Sequence, residues 1–533
     1  MTPPEQAQQA NQLFLSRKMF DPWTLQSTDP NRIIDVYLPQ SGKGIVYAGD
    51  GTAKAQYTAG QYVGGRIARQ TPPAVAAAQS ASAGSAYSQS LDLQTGVLTT
   101  QSGGSIDTVT SLVGGKPWPQ FWSSADIAIS GDPEAQQVTH ANMFYLAGSA
   151  GGPHSIPPMG LSSSGYAGHI FWDAETWMFP ALIVQHPKIA EGIIDYRFAR
   201  LKQAMANAAS HGFKGAEYPW ESADTGKEEA PVEFAQERHI TADVAFAAWQ
   251  DYLWTGDKTR LSRVIWPIMK ANADYWVSRA SKGTDGRYHI KQVIGPDETS
   301  GVVDDDAWTN AIVARTLAEA AEAARAVGQS PNPTWAEVAS HMAMLTDPKT
   351  GIPVEYSGAN ATLMAKQADS QLLIYPLDVP MSKSAQAATL DYCLNHTIQE
   401  GPAMTDSINA LIAARLGRAQ QSLDLFHSSY RPFMRGPWDA FSEKRTTDNV
   451  YFCTGMGGCL QTVLYGFAGL NVAQPGVSGL GVAVAKSGGV GLYADPHLPP
   501  GWTELTVQGV QFRGHVYDIT ADQSDKVTVV KRS

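Results

Sequence analysis

Residues His239–Trp254, HITADVAFAAWQDYLW, place apolar side chains at three- and four-residue intervals, the spacing of one helix face. The same spacing recurs on both sides. Upstream it covers Trp172–Ile183 and Lys188–Ser210. Downstream it covers Lys258–Ala280, Asp305–Val327, Trp335–Leu345, Ser384–His396, Pro402–Leu416, Ala419–Ser428 and Thr454–Phe467. Gly, Pro and Asp punctuate the gaps. With weaker segments the count reaches about ten to twelve helices between residues 172 and 470. Stacked helical hairpins of that number fit a closed double ring, the (α/α)6 barrel. An open solenoid fits the same periodicity, although no fixed-period repeat favours it.

The flanks read differently. Before about residue 125, Ile33–Leu38, Gly44–Tyr47 and Gly96–Thr100 alternate as short strands, and Ala74–Ser90 is a low-complexity stretch expected to be an exposed loop. Asp132–Ser149 returns to helical spacing with Asp132 as N-cap. After Ala473, Val477–Val484, Gly491–Tyr493, Leu505–Phe512, His515–Ile519 and Lys526–Val530 alternate again. The expected class is mainly α, with an (α/α)6 barrel between a β-rich N-terminal region and a small C-terminal β-domain. The expected division is 1–125 as a β-sandwich-like region, 126–160 as a helical linker, 161–472 as the barrel and 473–533 as the C-terminal β-domain.

Composition narrows the function. The 533 residues carry a formal charge of −11 and no basic run, which excludes the usual nucleic-acid binders. No stretch of about eighteen apolar residues is present, so neither a spanning helix nor a membrane partner is expected. The opening MTPPEQAQQANQ lacks the charged and apolar regions of a signal peptide. The compartment stays open: periplasmic or secreted with a leader removed, or cytoplasmic. Cys393, Cys453 and Cys459 form no disulfide framework and no CxxC pair, and are expected to be buried, inert thiols. No metal and no cofactor is expected.

Two aromatic–acid clusters carry the chemical signal. Phe171–Pro180 reads FWDAETWMFP and Tyr218–Ala223 reads YPWESA. An isolated Trp–Asp pair is ordinarily packing plus a turn. Paired clusters suit a sugar, because indole covers the apolar face of a pyranose while carboxylates accept from its hydroxyls. Trp172, Asp173, Trp220 and Glu221 are therefore candidate sugar-binding residues. Gly295–Glu298, GPDE, adds a carboxyl group able to act as an acid.

In order and spacing, GHIFWDAETWMFP (168–180), GFKGAEYPWESADTG (212–226), ERHITADVAFA (237–247), GPDE, AKQAD (365–369), GPAMT (401–405) and FCTGMGGCLQ (452–461) resemble glycoside hydrolase family 65 over about 300 residues. That family contains disaccharide phosphorylases, acid trehalases, kojibiose hydrolases and the glucosidase acting on glucosylgalactosyl-hydroxylysine. The resemblance implies a β-sandwich, a helical linker, an (α/α)6 barrel and a C-terminal β-domain. It implies that Glu298 is the general acid, and that Trp172, Asp173, Lys366 and Gln367 hold the glucose of the donor subsite.

The family acts with inversion. Its hydrolases need a second carboxylate about 6.5–9.5 Å from the acid to activate water, whereas its phosphorylases let phosphate attack. Glu443, eleven residues before Thr454, lies where hydrolytic relatives place a glutamate, and is expected to be the general base. Asp439 is the fallback. Tyr451 aligns with the phosphorylase histidine, although Arg435, Lys444 and Arg445 are cations that could take phosphate.

Two departures stand out. Thr299 and Ser300 replace the usual Tyr-His, with Asp304–Asp306 where asparagines are common, and the N-terminal β-region is shorter than the family sandwich. The expected activity is hydrolysis of α-linked glucosides, kojibiose-type, trehalose or glucosyl-α-1,2-galactose, releasing β-glucose. The alternatives are an inverting phosphorylase giving β-glucose 1-phosphate and a non-catalytic carbohydrate-binding scaffold. A small or oligosaccharide α-glucoside is the expected partner, and a homodimer stays open.

Overall fold

The computed structural model describes residues 24–27, 36–40, 61–62, 65–70, 87–102, 105–110, 112–113, 116–150, 155–160, 165–359, 362–436, 439–447, 451–473 and 481–532. Helix dominates from Pro133–Gly148 to the last helical turn, Thr462–Phe467. Asp132 begins the first of these as expected, accepting from Ala135 N at 2.9 Å. Met404–Arg415 and Ala419–Tyr430 pack as a hairpin, with Gly417 at φ +75° in the turn. The large residues of this interior are aromatic: Trp177, Trp276, Trp308, Tyr196, Tyr218 and Tyr275 are all fully enclosed.

Two helices are shorter than their periodicity suggests. Lys188–Ser210 divides at Arg200 into Pro187–Ala199 and Leu201–Ser210. The Arg200 guanidinium lies over the Tyr196 ring and donates to the carbonyls of Tyr196 and Ala223, so it caps the first helix from outside. The segment read as Trp335–Leu345 is helical only over Pro333–Ser340, because the His341 carbonyl turns away to accept from Tyr288 N.

A four-stranded antiparallel sheet closes the chain, in the order Asp126–Ser130, Glu504–Phe512, His515–Asp522, Val527–Lys531. Its first strand corrects the expected linker: residues 126–160 begin with a strand before the helix. DIAIS buries Ile127 and Ile129 and exposes Ser130, a period of two too short to stand out beside the helix that follows. A three-stranded sheet, in the order Leu470–Ala473, Val490–Ala494, Val482–Ser487, follows the last helix in the chain.

Main-chain groups join this β-region to helix ends. Gln185 Nε2 donates to Asp126 O and Gln508 O, Gln511 N to Val184 O, and Arg513 N to Trp254 O. Near the N-terminus, Val36–Gln40 and Val97–Ser102 overlap two expected strands, and Tyr87–Ser90, read as loop, belong to the strand Tyr87–Asp92. Residues 44–47 and 71–86 lie outside the described residues.

Candidate active site

Asp173 opens a π-helical turn, Asp173–Met178, of the kind that often marks a functional position. The turn is held by the helix Cys453–Gln461. Gln461 Nε2 donates to the carbonyls of Thr176 and Trp177, and a Cβ on Gly457 would stand 2.4 Å from Trp177 O. The TGMGG glycines thus permit an approach that any larger residue would block. That approach brings Thr454 Oγ1 to Asp173 Oδ1 at 2.5 Å. Burial pushes the Asp173 carboxyl up to about 7; the Thr454 hydrogen bond opposes the rise and the charge of Glu443 adds to it.

Trp172 lines the cavity but is only 2% exposed. It packs edge-on to Trp177 and to His239, ring centroids 5.6 and 4.9 Å away, so it forms floor and cannot offer a full face to a sugar ring. His239 is itself clamped between Glu237 and Asp243 at 3.0 and 2.7 Å. Burial opposes charge on this histidine, but Asp243 and then Glu237 outweigh it and raise it to about 10. This buried triad comes from ERHITAD, a motif to which the sequence had assigned no role.

The GPDE turn is fastened to the Lys366–Gln367 segment by three hydrogen bonds. Lys366 N reaches Asp297 Oδ1 at 2.6 Å, Lys366 Nζ reaches Glu298 Oε2 at 2.7 Å, and Gln367 Nε2 reaches Pro296 O at 2.6 Å. Lys366 therefore pairs with the expected acid, an arrangement the sequence did not indicate. Thr299 also supports the turn, donating to Asp297 and to Met364 O.

Asp304, Asp305 and Asp306, unusual in sequence, are structural. They accept from Gln292 N, from Ile290 N and from Thr309 N, the last capping the helix Ala307–Ala326. Two carboxyl pairs lie behind the turn, Asp297 with Glu355 and Asp306 with Asp369. Burial and then Asp297 push Glu355 up to about 8, and burial and then Asp306 push Asp369 well above the usual carboxylate range.

Glu443 lines the same cavity. Its carbonyl accepts from Ala403 N, tying its loop to GPAMT, and its Oε1 accepts from Tyr166 Oη at 2.5 Å. Glu221 Oε1 accepts from His169 Nδ1 at 2.7 Å, while Glu228 takes the backbone N–H of both Trp220 and Glu221 and so fixes the YPWESA loop. Trp220 packs against Phe171 and Phe234 as one wall.

One cavity of about 480 Å³ gathers Trp172, Asp173, Trp220, Glu221, Glu298, Lys366, Gln367 and Glu443. That volume suits a small ligand. Tyr166 and Phe234 also line it, and neither belongs to a motif the sequence singled out. Among the described lining residues four are carboxylic, Asp173, Glu221, Glu298 and Glu443, and one is cationic, Lys366.

The other expected candidates lie elsewhere. Asp439 is fully buried and does not line the cavity, and Tyr451 packs on Tyr145. Arg435 donates to the carbonyls of Pro432, Lys444, Arg445 and Thr447, and Arg445 donates to Asp406 and Gln399 O. Among the described residues no group of three or more His, Cys, Asp or Glu could hold a metal ion, and no helix is long and apolar enough to cross a membrane. The three cysteines are free and buried.

Residues 141–358 match the glycosyl hydrolase family 65 central catalytic domain, and residues 490–533 match the family 65 C-terminal domain. A kojibiose hydrolase of Mucilaginibacter mallensis is 41% identical over 401 residues, covering 74% of this chain and 57% of the relative. A protein-glucosylgalactosylhydroxylysine glucosidase of Danio rerio is 34% identical over 442 residues, covering 78% and 64%. The chain thus spans less than two thirds of the length of these relatives. A solved structure named "Putative kojibiose phosphorylase from human microbiome" shares the fold with a TM-score of 0.66 at 16% identity, covering 85% of this chain and 73% of that one.

Proposed function

We propose that this chain, which belongs to glycoside hydrolase family 65, is an inverting exo-α-glucosidase built on an (α/α)6 barrel. The barrel occupies 161–472, between an N-terminal β-region at 1–125 and a C-terminal β-domain at 473–533 that takes the strand 126–130 from the intervening segment. Its substrates are α-linked glucosides of the kojibiose, trehalose or glucosyl-α-1,2-galactose type. Relatives named for the first and third kinds, at 41% and 34% identity, support that range.

In this reading Asp173, Glu221, Lys366 and Gln367 hold the glucosyl hydroxyls, and Trp172 and Trp220 enclose its ring. A glucosyl hydroxyl takes over the Lys366 hydrogen bond now made to Glu298, which leaves Glu298 to carry the proton it gives to the glycosidic oxygen. Glu443 removes a proton from water as that water attacks the anomeric carbon from the opposite side, and β-glucose departs.

The observation that carries the choice of hydrolysis is the charge of the cavity. Even with Glu298 protonated, Asp173, Glu221 and Glu443 outnumber the one ammonium of Lys366, a setting that disfavours phosphate and suits a neutral sugar. Arg435 and Arg445, which could have served a phosphorylase, are committed to carbonyls and to Asp406 outside the cavity. A purely binding scaffold would have no use for Glu298 and Glu443 in one cavity. Incubation with α-1,1-, α-1,2-, α-1,3- and α-1,4-linked glucobioses, with and without phosphate, tests the proposal. Glucose release without phosphate is expected. Strict phosphate dependence, or binding of every disaccharide with release from none, would overturn it.

A further inference from the structure

Tyr166 is the one residue of the cavity wall whose backbone and side chain are both unusual. It adopts φ +55°, a left-handed conformation that costs an aromatic residue energy and persists only where its surroundings enforce it. Its ring packs edge-on to Phe171, centroids 5.3 Å apart, and 41% of the residue remains exposed. Its hydroxyl is directed inward and donates to Glu443 Oε1 at 2.5 Å.

Burial first, then the charge of Glu443, and then Asp173 and Glu298, hold the phenol far above its ordinary range, so at working pH it is always a donor. The turn Gly165–Gly168 that carries it ends just ahead of the FWD segment, with His169 and Ile170 between them. A strained loop residue therefore spends its strain on one hydrogen bond.

We propose that Tyr166 is the positioning residue of the general base, fixing Glu443 Oε1 and thereby the direction in which the carboxylate faces the attacking water. The proposal rests on the reading of Glu443 given above. A phenol donating to a carboxylate favours its ionised form, the form a base needs. It also removes one rotational freedom from a long side chain, and misplacement of a reacting group by about 1 Å costs on the order of a hundredfold in rate.

The charged groups that face Glu443 across the cavity are Asp173, Glu298 with its partner Lys366, and Glu221 with His169. Lys444 and Arg445 follow Glu443 in its own loop, with Arg445 turned to Asp406.

The test is Tyr166→Phe, which keeps the ring on Phe171 and deletes only the donor, measured beside Glu443→Ala on a hydrolysed glucobiose. Three results are expected of Tyr166→Phe. The acidic limb of its kcat/KM profile moves to higher pH, its kcat falls between about ten- and a hundredfold, and its KM changes less than about threefold. Glu443→Ala loses turnover and regains part of it with azide. If Glu443→Ala behaves so while Tyr166→Phe keeps the wild-type pH profile, or alters KM alone, Tyr166 is a wall or sugar contact and the proposal falls. Full activity of Glu443→Ala would instead remove the base itself. Tyr166→His separates donor from ring, and partial recovery of kcat relative to Tyr166→Phe is expected.

Discussion

Glu298 is held by one strong partner, the Lys366 ammonium at 2.7 Å, on a turn whose neighbours are pinned by backbone hydrogen bonds. Glu298→Gln keeps the shape of the side chain and can still accept from Lys366, but it cannot deliver a proton. Turnover of a natural disaccharide should fall by about 10²–10⁴-fold, while glucose inhibition, which reports the sugar contacts, stays near the wild-type value. Near-wild-type turnover would remove Glu298 from the mechanism. At this scale the sequence was most readable, because short contiguous motifs carry Trp172, Asp173, Glu298, Lys366 and Glu443 to one cavity. Tyr166 was invisible for a physical reason. What distinguishes it is a left-handed backbone and a hydrogen bond to a residue 277 positions away, made from a turn with no motif. The Lys366–Glu298 pair was equally hidden, since nothing in either motif names the other as its partner.

The elements behind the site predict how stability depends on pH. Glu355 has an ordinary value of 4.5 and is pushed up to about 8 in the fold, by burial and by its pairing with Asp297. Between those values the folded chain keeps a proton that the unfolded chain gives up. The stabilisation is complete below about 4.5 and is lost as pH rises through about 8. Thermal unfolding temperature should therefore decline from pH 5 to pH 8.5, and Glu355→Gln, which carries no proton to lose, should decline less steeply. An unchanged slope in that variant would show that Glu355 does not hold the proton. Glu237, raised to about 8 by burial against the pull of His239, leaves part of the slope in place. Helices of this layer were legible because their apolar spacing runs for many turns and because Asp132 is a recognisable cap. The break at Arg200 was not, since its cause is a guanidinium reaching the carbonyls of Tyr196 and Ala223. DIAIS at 126–130 was also missed: five alternating residues become a strand only beside Glu504–Phe512, almost 380 positions later.

At the scale of the molecule, a helical body rich in buried aromatics presents one acidic cavity, and a C-terminal sheet ties back to helix ends through Gln185, Gln511 and Arg513. The sequence showed this order of helices and β-region because the period of the apolar pattern changes from three or four to two. Closure into a ring is not a property that periodicity can report, since hairpins of a ring and of a solenoid bury the same face. In the proposed mechanism two carboxyl groups of this cavity, Glu298 and Glu443, hydrolyse an α-glucoside with inversion. The most direct measurement follows the anomeric protons by NMR during the first turnovers of a cleaved α-glucobiose in phosphate-free buffer. The account predicts β-glucose first, with the α anomer appearing only at the rate of mutarotation. Initial release of α-glucose, or formation of β-glucose 1-phosphate only once phosphate is added, would contradict it.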